Sequence, residues 1–304
     1  MTQRTVALVT IFVGLVAGRT AAQGTHADST TVVMLGTGTP NADPDRSGPA
    51  VAIVVNGRAY IVDAGPGVVR RAAAAEKAGV TALRQPNLDI VFLTHLHSDH
   101  TLGLPDLLLS PWVSGRSVPL RVFGPRGTAA MVEHISAAWA EDIHVRLTGG
   151  QQGNKTGYRA DVHESDSGMV FRDSNVTVTA FRVQHGTWDE ALGYKFVTKD
   201  RVIVISGDTR PTEAIVAQCN GCDVLVHEVY VDSTARLAPQ GTRDYYKNFH
   251  TSTLELADLA KRARPKLLLL YHQLYRGGTD DGLVREIKTR YAGLVMSARD
   301  LGVY

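Results

Sequence analysis

The sequence predicts an α/β fold, an αββα sandwich in which two mixed sheets pack face to face with helices outside. Three features of the chain point to it. Strand-length apolar runs recur from Val32 to Tyr271. Some are joined as hairpins, through Asn56-Gly57 and Lys199-Asp200, while others alternate with helical stretches. Both kinds of connection occur in each half and no linker divides them, so residues 31–304 read as one domain. A chain of 304 residues with 44% hydrophobic and 20% charged residues has an ordinary globular composition and can bury a substantial core.

The elements follow in order. Strand 31–35 ends in Gly36-Thr37-Gly38-Thr39-Pro40, which lacks the third glycine and the helix of a dinucleotide-binding turn. After a polar loop, 41–48, strands 50–55 and 58–63 pair through the Asn56-Gly57 turn. Asp63-Ala64-Gly65-Pro66-Gly67 then opens an alanine-rich helix, 68–78. Strand 89–94 leads through a histidine-rich loop to a helix at 103–110, followed by strand 120–123 and helix 128–140. Glycine, glutamine and asparagine make 147–157 a loop, expected over the site. The second half repeats the rhythm with strands 176–183, 192–198 and 201–205, then a helix begun by Pro211, a favoured first-turn residue. Strand 223–227 precedes a polar segment, 232–249, that reads as flexible. Helix 252–263, strand 266–271 and helix 281–291 complete the chain.

The N-terminus has a different character. Arg4 precedes an uncharged apolar run, 6–17, and small residues follow at 20–22. That is the pattern of a secretory signal peptide, 1–22, followed by a linker, 23–30. The run is short of the roughly 20 residues of a membrane span. An uncleaved anchor or a buried N-terminal helix is the competing reading. The chain is thus expected to be exported, periplasmic or secreted, with no stable membrane span after cleavage. Removing 1–22 takes away Arg4 and Arg19 and no acid, which leaves 30 basic against 30 acidic residues. A formal charge of zero gives no footprint for a nucleic-acid partner, although a local basic patch stays open. A homodimer also stays open.

The two cysteines, Cys219 and Cys222, cannot make a four-thiolate metal site. A tight disulfide in an exported chain and small residues closing a helix are both open readings, and neither residue is assigned a catalytic role.

The chemistry concentrates in Thr94-His95-Leu96-His97-Ser98-Asp99-His100. Four ligand-type side chains fall within six residues after an apolar strand. Strand alternation lets His95 and His97 point one way, while the turn lets Asp99 and His100 face a second point. Imidazoles with a carboxylate suit zinc or a similar divalent cation. Three further ligand types end apolar strands: His185, Asp208 and His272.

With these residues the chain resembles the metallo-β-lactamase fold hydrolases, within them the ribonuclease Z and secreted arylsulfatase-like branch. The match runs from Val32 to the end and includes the Leu35-Gly36-Thr37-Gly38-Thr39-Pro40 turn, Gly103-Leu104-Pro105, Val226-His227-Glu228 and His250-Thr251-Ser252. The resemblance implies two divalent ions, zinc foremost, with manganese or iron open. His95, His97 and His185 would bind the first, and Asp99, His100 and His272 the second, with Asp208 bridging. It implies a bridging hydroxide as nucleophile. Asp99 would also take the nucleophile's proton, and His250, oriented by Glu228, would assist the leaving oxygen.

Departures narrow the substrate. Ribonuclease Z carries a long tRNA-gripping arm between the positions of His185 and Asp208, where only 22 residues stand here. The formal charge is zero, export removes the chain from tRNA, and the Asp-Cys-Gly-Glu-Gly motif is Asp63-Ala64-Gly65-Pro66-Gly67. The expectation is a hydrolase of a small phosphodiester or aryl sulfate ester. The alternatives are a 3′-tRNA-processing endoribonuclease, a lactonase or β-lactamase on the same metals, and a non-catalytic metal-binding protein. His26, His134, His144 and His163 are expected on the surface, and His227 as a brace for the site. Trp112, Trp188, Tyr245, Tyr246 and Phe249 line a substrate pocket or pack in the core.

Overall fold

The computed structural model describes residues 29–151 and 153–304. The expected signal peptide, most of the linker and His26 lie outside them. Strands β1 (Thr30–Gly36), β2 (Ala50–Val55) and β3 (Arg58–Val62) form an antiparallel meander. Helix α1 (Val68–Lys77) connects it to β4 (Ile90–Phe92). The short α2 (Ser98–Thr101) and α3 (Leu104–Val113) precede β5 (Leu120–Gly124), and α4 (Thr128–Ala138) and α5 (Ala140–Thr148) precede β6 (Ala160–Glu164). β3, β4, β5 and β6 pair in parallel, so the first sheet is six-stranded and mixed.

The second sheet mirrors this plan. β7 (Gly168–Arg172), β8 (Thr177–Val183), β9 (Ala191–Val197) and β10 (Val202–Ile205) are antiparallel. Parallel strands β11 (Val224–Tyr230), β12 (Leu267–Leu274) and β13 (Val295–Ser297) continue it, each reached through helices. These helices are α6 (Glu213–Cys219), α7 (Asp232–Ala235), α8 (Gln240–Phe249), α9 (Thr253–Ala263) and α10 (Asp280–Lys288).

Strand alternation sorts side chains into layers. In β2, Val51, Ile53 and Val55 face the second sheet, while Ala50, Ala52 and Val54 face the core shared with α1 and α3. Between the sheets, the Phe92 ring packs against Phe123, Phe171, Tyr194 and Phe196. A third cluster seats α6, α9 and α10 on the other face of the second sheet. The αββα sandwich expected from the sequence is the fold observed. Among the described residues no helix is long and apolar enough to cross a membrane.

Two local expectations are corrected. The segment 232–249 is not a flexible stretch: most of it is α7 and α8, and Tyr246 is buried against Tyr230. Nor does the loop after α5 cover the site. Trp112 donates to the Asn154 carbonyl (2.9 Å) and the buried Arg116 guanidinium to the Gly157 carbonyl (2.8 Å), which pins that loop to the end of α3. Trp112 is accordingly a core residue.

Candidate metal centre

The strand ends of both sheets deliver their polar residues to one rim. Asp63 follows β3, His95 and His97 lie in the loop beyond β4, His185 follows β8, and Asp208 follows β10. The strand β4 stops at Phe92, so His95 and His97 converge from a loop and not from strand alternation. Gly207 makes the turn to Asp208 with φ 62°, and a Cβ there would meet the Leu192 carbonyl at 2.8 Å. No other residue fits without displacement.

His272 sits inside β12. The pairing with β11 slips there: Glu228 faces Tyr271 and Val229 faces Gln273, leaving His272 as the extra residue. Its φ is 45°, a left-handed conformation unusual for a non-glycine residue. A bulge of this kind re-aims a side chain, and this one turns His272 to the rim.

Three nitrogens meet at one point. His97 Nδ1 lies 3.0 Å from His95 Nε2 and 3.1 Å from His185 Nε2. The opposite ring nitrogens are each engaged. His95 Nδ1 meets Thr94 Oγ1 (3.0 Å), His185 Nδ1 donates to the Phe249 carbonyl (2.7 Å), and Trp188 Nε1 donates to His97 Nε2 (2.8 Å). Burial lowers the pKa of all three, that of His185 to about 4. Neutral imidazoles are the form in which histidine binds metal.

A second group lies beside the first. His272 Nε2 is 3.2 Å from Asp99 Oδ2, and His100 Nε2 is 3.3 Å from Asp208 Oδ1. Asp208 Oδ2 lies 3.4 Å from His272 Nε2 and 3.9 Å from His185 Nε2, between the two groups. The ligand atoms within each group fall within 4.8 Å of one another. His100 Nε2 and Asp208 Oδ1 are buried without a hydrogen-bond partner, an expensive arrangement unless something else satisfies them. The fit to a divalent cation is therefore chemical as well as geometric. Burial opposes ionisation of Asp208, yet His272 and His100 outweigh it and hold its carboxyl well below the usual range. Burial likewise opposes the charge on His100, but Asp208 and Asp63 push it well above the ordinary imidazole value.

Asp63 is the residue the sequence reading missed. Its carboxylate accepts from Thr94 N (2.8 Å), from Thr94 Oγ1 (2.9 Å) and from His100 Nδ1 (2.8 Å), which turns His100 Nε2 toward Asp208. Outer partners of this type fix ring orientation at metal sites. The available signal was an acid ending an apolar strand, the same one that marks Asp208.

His250 caps the C-terminus of α8. Its Nδ1 lies 3.4 Å from Glu228 Oε2 and its Nε2 3.4 Å from the Tyr245 hydroxyl. It also forms a third convergent group with Asp208 and His272. Glu228 Oε1 accepts from Thr251 N (2.9 Å) and Thr209 N (3.3 Å), tying the His250 loop to the Asp208 loop. Burial, reinforced by Asp208, pushes Glu228 well above the carboxylate range, and burial lowers His250 to about 4. Glu228 Oε2 and His250 Nδ1 are both buried without a hydrogen-bond partner. His227 Nδ1 meets the Glu228 carbonyl (2.7 Å) and joins no ligand group. His134, His144 and His163 are exposed.

A cavity of about 240 Å³ opens over the groups, walled by Asn41, Tyr245, Tyr246 and Leu274, with Asp99, Asp208, His250 and His272 in its floor. Trp188 and Phe249 pack on His97 and His185.

An αββα sandwich carrying histidine and aspartate clusters at its strand ends defines a divalent-metal-dependent hydrolase. The chain belongs to the β-lactamase superfamily, whose domain model matches residues 58–273. It is 36% identical over 246 residues to the ribonuclease Z of Mycobacterium sp. (strain KMS), covering 80% of this chain and 84% of that one. Its fold is similar to human tRNase Z, short form, with TM-score 0.67 and 24% identity over 90% of this chain and 98% of that one. The metallo-β-lactamase fold protein YhfI of Bacillus subtilis gives TM-score 0.68 and 21% identity over 91% and 100% of the two chains.

Proposed function

We propose that the chain hydrolyses phosphodiesters. His95, His97 and His185 would hold one divalent ion and Asp99, His100 and His272 a second, zinc foremost. The observation that carries this reading is Asp208, with one oxygen within 4 Å of histidines from both groups. Bound there, such ions supply an activated water and neutralise charge on the ester oxygens.

The remaining steps belong to side chains. Asp99 is held ionised: burial opposes its charge, but the His272 hydrogen bond and His100 outweigh burial. It can accept the proton of the attacking water. His250, whose Nδ1 lies 3.4 Å from Glu228 Oε2, would donate from Nε2 to the departing oxygen, with Glu228 orienting the ring. The relatives named ribonuclease Z favour phosphorus over sulfur as the reacting centre. They also support a second reading, an RNA substrate. The 22-residue connection from His185 to Asp208 and the zero formal charge of residues 23–304 support a small diester. Export of the chain is supported by the apolar run at 6–17 and by the Cys219–Cys222 disulfide.

Metal-quantified protein should be assayed on bis-p-nitrophenyl phosphate, p-nitrophenyl sulfate, nitrocefin and a tRNA precursor. Diester turnover is expected, with His250→Ala lowering kcat by about 10²-fold or more. Turnover of the sulfate or of nitrocefin with the diester untouched sinks the proposal.

A further inference from the structure

Gln273 follows His272 in β12 and is buried, on a strand flanked by β11 and β13. A position between two parallel neighbours ordinarily takes an apolar side chain. The ladder to β13 ends with Leu270 beside Ser297, where Ala298 N closes on the Leu270 carbonyl (2.8 Å). Past that point the Gln273 amide ties the two strands together. Its Nε2 donates to the carbonyls of Leu270 (3.0 Å) and Ala298 (2.9 Å) and to Ser297 Oγ (3.1 Å). Its Oε1 accepts from Arg46 Nη1 (3.0 Å). With a guanidinium on one side and two carbonyls on the other, the amide can face only one way.

Arg46 closes the arrangement. Its Nη2 pairs with Asp280 (3.2 Å), which accepts from Ser297 Oγ (2.5 Å), so Gln273, Arg46, Asp280 and Ser297 form a ring of four side chains. Nη1 also reaches Thr37 Oγ1 (3.0 Å), and the guanidinium stands 5.1 Å from the Tyr275 ring centroid. The ring lies against the bulge that turns His272 to the rim. His272 keeps φ 45°, and a left-handed non-glycine residue persists only where its surroundings over-determine it. The strand β11 does not supply that constraint, because its pairing slips at this residue. Gln273, one residue on and fixed from the β13 side, does. Arg46 also belongs to the loop whose Asn41 walls the metal cavity, so loop and bulge are set together.

We propose that Gln273 and Arg46 are positioning residues for His272, and that through it they set the affinity of the second divalent ion, the one assigned to Asp99, His100 and His272. The proposal rests on the two-ion form of the phosphodiesterase reading. His95 and His185 are held from elsewhere, by Thr94 and the Phe249 carbonyl, so the first ion should not feel a change in the ring.

The test titrates zinc into metal-free wild type and variants against a chromogenic chelator, with stoichiometry read by native mass spectrometry. His272→Ala, which removes a ligand, identifies the binding step that belongs to the second ion. Gln273→Met keeps length and burial but makes none of the amide's hydrogen bonds. It should weaken the second step by about tenfold or more and the first by less than about twofold. Ser297→Ala removes one link of the ring and is the milder change. It should weaken the same step by a smaller factor, and it decides the matter if Gln273→Met does not fold. An unchanged second step in every variant that folds overturns the proposal and leaves the phosphodiesterase reading untouched. Equal weakening of both steps overturns it as well, because the ring would then support the fold alone. So does a wild type that takes up one ion only. Binding is read without turnover. Selective loss of the second ion, in a protein whose wild type cleaves no diester, leaves the proposal standing while the phosphodiesterase reading fails.

Discussion

At the scale of single residues the convergent histidine and aspartate clusters were legible because their chemistry is local. His95, His97, Asp99 and His100 crowd one loop, and His185, Asp208 and His272 each end or nearly end an apolar run. Trp188 shows what the chain does not reveal in one dimension. Tryptophan is a donor only, so its contact with His97 Nε2 leaves that ring protonated at Nδ1, with the proton shared toward His95 and His185. With a divalent ion held by the same three nitrogens, His97 would carry its proton on Nε2, facing another N–H, and Trp188 would have to turn away. Zinc titration should therefore change tryptophan fluorescence in step with the ion bound, and Trp188→Phe should remove the change while still binding zinc. A signal that survives in Trp188→Phe, from Trp112 or Trp139, would count against this coupling. Asp63 stayed unread for a related reason: its role depends on His100 lying 37 residues away.

At the scale of elements, hairpin turns and apolar runs located most of the strands, but β6, β7 and β13 went unread. β6 and β7 are partly exposed and mix charged with apolar residues, and β13 spans only Val295–Ser297, so none offers an apolar run longer than three residues. Helix α8 was hidden by its polar composition, because its identity comes from the Tyr246 contact and not from a wide apolar face. The junction of α3 with the loop after α5 was equally invisible. It rests on Arg116, fully buried with, among the described residues, no carboxylate within hydrogen-bond reach, donating to the carbonyls of Leu88 (2.8 Å), Leu107 (2.9 Å), Leu108 (2.5 Å) and Gly157 (2.8 Å). Burial lowers its pKa to about 10, still well above neutrality, so the ion is kept as a clamp. Arg116→Met fills similar volume but strands four carbonyls, each costing about 1–3 kcal/mol if left without water or another partner. Chemical denaturation should show a loss on the order of 3 kcal/mol or more, with the metal groups intact at the far end of the strands. A loss below about 1 kcal/mol would mean that water replaces the guanidinium.

At the scale of the molecule, the rim between the sheets concentrates buried imidazoles, and this fixes how stability responds to acid. Burial lowers His95, His97, His185, His227 and His250, with His185, His227 and His250 each near 4. The folded chain keeps these rings neutral while the unfolded chain protonates them near pH 6.5. Their contribution is thus fully present above about pH 6.5 and is lost as pH falls from there toward 4. Two groups act in other directions. His100 and His272 are raised, so their contribution is complete below pH 6.5 and is lost only as pH rises through their folded values. Glu228 is raised by burial, and its folded proton favours the native state as pH falls toward 4.5. Five histidines against one glutamate decide the sign. In the presence of a chelator, the denaturation midpoint should fall steadily between pH 6.5 and 4, before Asp208 and Asp99 protonate. His227→Gln, which removes a buried imidazole outside the ligand groups, should make that fall shallower. A midpoint flat across the window would mean that the rim histidines are as hydrated in the folded protein as in the unfolded one. That would undercut the burial on which the neutral, metal-ready imidazoles depend.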